Sequence, residues 1–305
     1  MNLSFSAQIK RELCKTALNH KCCIQAEACG VLLYCSAFRS DGIRIVTESE
    51  SFAARLPVLF KKAFHLEFDQ LPSERPGKRV FLINDPAKIT AIGETFGHDP
   101  SESVALHINF AVLEEEHCRS AFIRGAFLAG GSVTDPEKEY HMELVTSHYN
   151  VGREMPALMR ESGFDPKFTE RKANYVTYFK RSEYIEDVLT AIGAPVAAME
   201  IMNAKVEKTL MGSVNRRVNC DAANLDKTVD AAQEQIEAIR LLEERGMLEE
   251  LPEKLKETAL LRRQNPELSL TQLAALCSPP VSKSALNHRL RKLLAMAQPA
   301  EDKEC

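Results

Sequence analysis

Two stretches decide how this chain folds: ACGVLLYCSAF (Ala28–Phe38) and IRGAFLAGGSV (Ile123–Val133). Aligned without gaps they share only Gly30/Gly125 and Leu33/Leu128, yet both are dense in small and apolar residues. The segments downstream of each stretch are more telling. After the first come a strand-like GIRIVT (Gly42–Thr47), a helix pattern around Ala53–His65, a strand-like RVFLIN (Arg79–Asn84) and a helix pattern around Pro86–Phe96. After the second come HMELVT (His141–Thr146), a helix pattern around Gly152–Ser162, YVTYFK (Tyr175–Lys180) and a helix pattern around Ser182–Ile192. Each copy leaves room for one more short strand before its later one. Two α/β units of the same order, about 95 residues apart, predict one pseudo-symmetric domain. Glycine inside a helix costs ~1 kcal/mol relative to alanine. The crowding of Gly125, Ala126, Ala129, Gly130 and Gly131 therefore suggests a helix whose backbone is approached closely by another. A helix that merely stops at Gly130-Gly131 explains the second copy but not Gly30.

The chain has 305 residues, more than one core usually organises, and its 45% hydrophobic and 27% charged residues are those of a globular protein. No apolar run is long enough to cross a bilayer, and the opening MNLSFSAQIKRELC has no signal-peptide core, so a cytoplasmic protein with no membrane partner is expected. Nine cysteines, an odd count without a signal, imply reduced thiols. Cys14, His20, Cys22 and Cys23 are close in sequence, but zinc is usually held by two spaced pairs. Adjacent Cys22 and Cys23 would point apart on a helix and no second pair comes after them, so small buried or half-buried thiols are expected, with no metal and no cofactor. The net charge of −4 hides an asymmetry. Residues 253–298 carry eight Lys/Arg against three Asp/Glu, while residues 1–252 carry thirty against thirty-seven. A basic end on an acidic body suits a polyanion partner.

Beyond residue 195 the composition becomes helical. Ala197–Thr209 reads as a helix and the polar Gly212–Thr228 as a linker, with Thr228 capping a long helix that ends before Gly246. Pro252 suits the first turn of a further helix, which Asn265-Pro266 stops. The expected organisation is a domain over 1–195, a connecting helix and linker over 196–228, a helical domain over 229–298 and a tail over 299–305.

The sharpest local signal is Ser269–Ala297. Ser269 and Gln272 have capping-box spacing ahead of a short helix, Leu270–Cys277, with Leu270, Leu273, Ala274 and Cys277 on one face. Ser278-Pro279-Pro280 must break that helix. Ser282 then caps a second helix running to about Ala297. On it Leu286, Leu290, Leu293 and Ala297 fall in one narrow sector and Ser284, Asn287, His288 and Arg291 in the opposite one. Lys283, Arg289 and Lys292 flank the polar sector, and no acid occurs between Val281 and Leu294. This is the pattern of a helix-turn-helix: apolar residues dock inward, short polar side chains and Arg meet base edges, and basic residues meet phosphates. The expected DNA-contacting set is Ser269, Thr271, Gln272, Ser282, Lys283, Ser284, Asn287, His288, Arg289, Arg291 and Lys292, and the expected partner is double-stranded DNA. Basic helical hairpins without a nucleic-acid role share part of this pattern; the missing acids and the two capped starts favour DNA.

SVNRRVNCDAANLDKT (Ser213–Thr228), LPEKLKETALLR (Leu251–Arg262) and VSKSALNHRLRKL (Val281–Leu293) resemble the bacterial WhiA family of sporulation and cell-division regulators. SFSAQIKREL (Ser4–Leu13) and RGAFLAGGSV (Arg124–Val133) extend the resemblance over nearly the whole chain. It implies an α+β fold in which a pseudo-symmetric domain like the LAGLIDADG homing endonucleases precedes an all-α helix-turn-helix domain like that of sigma factors. It also implies a nucleoid-associated regulator of transcription, controlling division and sporulation in actinobacteria and linked to cell division and chromosome segregation in other Gram-positive bacteria. In actinobacterial relatives it implies a WhiB-type iron–sulfur protein partner. Homing enzymes carry a metal-holding acid just before the terminal glycine of each paired helix. Matching the helices by Gly30 and Gly125 puts Cys35 and Gly130 there, and Asp41 and Asp135 read as turn residues, so no enzyme activity is expected. The alternatives are a division or chromosome-organisation factor acting mainly through protein contacts, and an active endonuclease, which lacks its two acids.

Overall fold

A computed structural model describes residues 3–72, 77–97 and 105–298; the expected tail over 299–305 lies outside them. The chain divides into two compact units, Met1–Thr209 and Leu210–Cys305. The first opens with α1 (Phe5–Leu13), whose start is capped by the Ser4 hydroxyl. Then come α2 (Lys21–Leu33), β1 (Ala37–Arg39), β2 (Gly42–Thr47), α3 (Glu50–Phe64), β3 (Arg79–Ile83) and α4 (Pro86–Thr95). The same order returns as α5 (Glu116–Gly130), β4 (Gly131–Val133), β5 (Met142–Thr146), α6 (Tyr149–Glu161), β6 (Lys167–Arg171), β7 (Asn174–Phe179) and α7 (Ser182–Ile192). The repeat predicted from the sequence is therefore present, strand for strand and helix for helix, apart from β6.

Both sheets are antiparallel, ordered β1-β2-β3 and β4-β5-β7-β6. Alternation sets which face is covered: Ile43, Ile45 and Thr47 are buried on β2, and Met142, Leu144 and Thr146 on β5. Of the extra strand expected in each copy, the described residues form the one in the second. There Lys172 and Ala173, at φ 47° and 62°, close a tight turn that pairs β6 with β7. In the first copy, among the described residues, it is reduced to a single bridge between Gln70 and Leu82.

At the centre α2 and α5 meet backbone to backbone. A Cβ on Gly30 would stand 2.1 Å from the Phe122 carbonyl oxygen, and one on Gly125 would stand 2.0 Å from the Glu27 carbonyl oxygen. Each helix thus offers its glycine to the other's main chain, and no side chain fits at either point. Beside this contact the fully buried Glu27 accepts from two guanidinium groups. Arg55 on α3 donates Nε to Oε1 at 2.6 Å and Nη2 to Oε2 at 2.9 Å, and Arg124 on α5 donates Nε to Oε2 at 2.9 Å. Carbonyls accept from further donors: Arg55 Nη1 reaches Cys14 and Thr16 at 3.0 and 2.7 Å, and Arg124 Nη1 reaches Ile192 at 2.8 Å. α1 is fastened separately, since the Ser6 hydroxyl both donates to the Val133 carbonyl and accepts from the Val133 N–H, each at 2.7 Å.

Past α7 a single helix, α8, runs from Pro195 to Glu244. The Glu12 carboxylate accepts from Val196 N at 2.8 Å and Ala197 N at 3.1 Å, satisfying orphan donors of its first turn. The linker expected within 196–228 is helical, and Thr228 lies inside α8, its hydroxyl donating to the Asn224 carbonyl at 2.8 Å. Every residue from Ser213 to Ala231 is exposed, although Val214, Val218, Leu225 and Val229 recur at helical spacing among the polar residues. The second unit continues with α9 (Glu253–Gln264), α10 (Leu270–Ala275) and α11 (Lys283–Ala297).

Replacing Gly125 with Ala is expected to destabilise the first unit by about 3 kcal/mol or more, the upper end for overpacking, because the obstruction is backbone. Gly212→Ala, where an added Cβ meets only the Arg216 guanidinium at 3.6 Å, is expected to stabilise by up to ~1 kcal/mol. The chain has no tryptophan, so urea titrations followed by circular dichroism are the check. Equal midpoints for the two variants would contradict the close approach.

Candidate nucleic-acid interface

The second unit is built around α11. Its core gathers Ala238, Ile239 and Leu242 from the end of α8 and Leu255 and Ala259 from α9. Leu273 and Ala274 from α10, and Leu286, Leu290, Leu293 and Ala297 from α11, complete it. Arg262, 2% exposed, donates from Nη1 to the Leu268 carbonyl at 2.8 Å and so fixes the approach to α10. α10 begins with the expected capping box: Gln272 N donates to Ser269 Oγ at 3.4 Å and Ser269 N to Gln272 Oε1 at 3.0 Å. The turn is pinned from both sides, by Ser278 N donating to Glu257 Oε1 at 2.6 Å and Val281 N to the Ala274 carbonyl at 3.1 Å. Ser282 starts α11 by accepting from Ala285 N at 3.2 Å, and Arg245 closes its other end by donating to the Ala297 carbonyl at 3.0 Å.

With Leu286, Leu290, Leu293 and Ala297 buried, the opposite side of α11 faces outward. Ser284, His288 and Arg291 are exposed at i, i+4 and i+7, with Asn287 half-buried at the edge of that row. Lys283 and Lys292 are exposed beside it, and Thr271 is exposed on α10. Four residues of the expected contact set have other occupations. The side chains of Ser269 and Gln272 satisfy each other's backbone, and Ser282 caps α11, so these three build the helix starts. Arg289 turns toward α9, where Nη1 lies 3.5 Å from Glu257 Oε2 and 3.4 Å from Thr258 Oγ1. A flank position on a helix wheel did not reveal that α9 occupies that side. The outward surface therefore consists of Lys283, Ser284, Asn287, His288, Arg291 and Lys292 with Thr271 nearby.

In the first unit the positions matched to the homing-enzyme acids hold no oxygen ligand. Cys35 is buried, donates to the Ala37 carbonyl at 3.1 Å, and has its thiol pushed up to about 12 by burial. Gly130 ends α5 against the Val145 carbonyl, 2.4 Å from where a Cβ would stand. Asp41 sits in the β1–β2 turn, and Asp135 accepts from Glu137 N at 3.0 Å within a turn after β4. Sequence spacing alone missed one grouping. Cys22 and Cys23 are joined by His117 and Cys118, with one donor atom of each within 4.8 Å of all the others; Cys14 and His20 are not part of it. The signal lay in the repeat, because the offset relating Gly30 to Gly125 also relates Cys22 to His117 and Cys23 to Cys118.

Comparison with known proteins agrees with both units. The family model described as the WhiA LAGLIDADG-like domain matches residues 119–210, and that described as the WhiA C-terminal HTH domain matches residues 214–297. A protein described as probable cell division protein WhiA from Ruminiclostridium cellulolyticum is 36% identical, covering 97% of this chain and 97% of its own. One of the same description from Desulforamulus reducens is 36% identical, covering 97% and 96%. Among solved structures, full-length DUF199/WhiA from Thermatoga maritima is similar with a TM-score of 0.57 and 26% identity, covering 97% of this chain and 98% of that one.

Leu290→Ala is expected to cost the second unit about 2–5 kcal/mol, as for other buried leucines. Arg291→Ala, one position on but outward, is expected to stay within about 0.5 kcal/mol of the parent. Urea midpoints for the two variants check the assignment of faces.

Proposed function

This chain belongs to the WhiA family, and from that membership and the surface of α11 we propose that it is a sequence-specific DNA-binding transcription regulator acting in cell division, chromosome segregation and sporulation. The observation that carries the reading is the outward row Ser284, His288 and Arg291, exposed and free of acids, on a helix whose leucines are buried. A helix held this way enters a major groove with its polar face toward base edges. Arg291 forms a bidentate pair with guanine, Asn287 at the edge of the row bonds adenine, and Lys283 and Lys292 neutralise phosphates. Nucleoid association is a consequence of that binding. The first unit is a non-cleaving relative of the homing nucleases, because a thiol held protonated and a glycine replace the two carboxylates that would hold magnesium.

Binding titrations with specific and scrambled duplexes at several salt concentrations test this. Arg291→Ala is expected to flatten the preference between the duplexes, since a bidentate pair is worth about 1–3 kcal/mol of discrimination. Lys292→Ala is expected to weaken both duplexes alike and lower the salt slope by about one. Equal losses on both duplexes with the same change of slope would overturn the division of faces. A genome-wide map of bound sites separates regulation, with a few sharp promoter peaks, from diffuse coverage of the chromosome. Plasmid incubated with the protein and Mg²⁺ or Mn²⁺ is expected to stay uncut.

A further inference from the structure

The starts of α2 and α5 converge in the first unit, at the end of the helix pair away from Cys35 and Gly130. Cys22 and Cys23 stand in the first turn of α2, and His117 and Cys118 in the first turn of α5. Cys23 Sγ lies 3.2 Å and Cys118 Sγ 3.3 Å from the same nitrogen, His117 Nδ1, and all four donor atoms lie within 4.8 Å of one another. We propose that these four side chains form a zinc site, in which the thiolates of Cys22, Cys23 and Cys118 and Nδ1 of His117 hold one thiophilic divalent ion.

The geometry fits. A tetrahedral zinc with Zn–S of about 2.3 Å and Zn–N of about 2.0–2.1 Å sets its donors roughly 3.5–3.8 Å apart. The two sulfur–nitrogen distances are already at that scale, and the widest separation of 4.8 Å closes by about an ångström, within reach of side-chain rotation at exposed Cys22. Three sulfurs and an imidazole are a soft set that selects zinc over magnesium or calcium. Adjacent cysteines diverge on a single helix, but here the partner helix supplies the missing ligands. Each helix contributes two consecutive positions, and the pairs are related by the same offset as Gly30 and Gly125. The backbone contact that needs the glycines therefore also brings these two helix starts together.

The surroundings favour an ion. Both helix starts present the positive end of their dipoles, which favours thiolate. A coordinated ion releases the thiol protons as it binds, so affinity falls as pH is lowered. Cys118, 3% exposed, fixes the inner side of the site. Cys22 and His117 are exposed, and a cleft of about 270 Å³ lined by Cys22, Ala26, Phe96, Glu114 and Cys118 runs alongside, so an ion can enter. Bound there, it ties the paired helices at their starts.

The test uses the full chain, reduced, stripped with a chelator and titrated with Co²⁺ and then Zn²⁺. The expected result is one equivalent of Co²⁺ taken up with intense visible bands and thiolate-to-cobalt charge-transfer absorption, both bleached by Zn²⁺, and a thermal midpoint raised by Zn²⁺. Cys22→Ser/Cys23→Ser, which changes partly exposed positions, and Cys118→Ser are expected to abolish this uptake, while Cys220→Ser on α8 retains it. The midpoints of the metal-free variants show whether they remain folded. Absence of saturable uptake, uptake that survives the double substitution, or uptake lost equally in Cys220→Ser would overturn the proposal. None of these outcomes bears on the DNA-binding titrations, which concern the other unit.

Discussion

The first unit depends on two helices standing closer than side chains allow. Ordinary helix pairs are separated by about 8–10 Å, a distance set by the residues between them. At Gly30 and Gly125 nothing lies between, and main chain rests on main chain. That contact is reciprocal, so it makes the two halves near-copies of each other: whatever one helix does to its neighbour, the neighbour returns. The sheets, α3, α6 and α7 are arranged around a pair already fixed in distance. Glu27 then fixes it in rotation. Its carboxylate is divided between Arg55 and Arg124, and each guanidinium also donates from Nη1, Arg55 to the carbonyls of Cys14 and Thr16 and Arg124 to that of Ile192. Removing one member of this buried group strands the others at a cost of about 3–5 kcal/mol.

The second unit solves a different problem, that of presenting one helix at a defined tilt with few residues. It does so by closing ends rather than by close approach. Ser269 and Gln272 start α10, Ser282 starts α11, Arg245 finishes α11, and Glu257 reaches from α9 to the turn between them. Arg289 belongs to this frame. Its commitment to α9 narrows the outward basic residues of α11 to Lys283, Arg291 and Lys292, which lie at both ends of the polar row and bracket it with positive charge.

How much of this was legible in the chain depends on the range over which each signal acts. The repeat, the strands and the helix-turn-helix were readable because alternation, leucine spacing and capping chemistry are local. The capping box at Ser269 and the buried sector of α11 came out as expected. Other features depended on context. The middle of α8 reads as a linker because polar and charged residues dominate it, and the helical spacing of Val214, Val218, Leu225 and Val229 among them is sparse. Arg289 required knowing where α9 lies. The Cys22, Cys23, His117 and Cys118 group required combining the two halves of the repeat, which spacing within either half could not reveal. Among the described residues the extra strand of the first copy is reduced to the bridge at Gln70, and its counterpart in the second copy rests on a tight turn at Lys172-Ala173 that the sequence does not advertise.

The exposure of α8 has a consequence for how the chain opens. From Ser213 to Ala231 no residue is buried, so that stretch is held by its own i→i+4 hydrogen bonds and by helix propensity. Its amides are then free to exchange with solvent through small local openings, without either hydrophobic core coming apart. The ends of the same helix, where Ala197, Ala198 and Ile201 at one side and Ile239 and Leu242 at the other are buried, exchange only when their units unfold. One continuous helix therefore carries different protection levels along its length, lowest in the exposed middle and higher toward both buried ends.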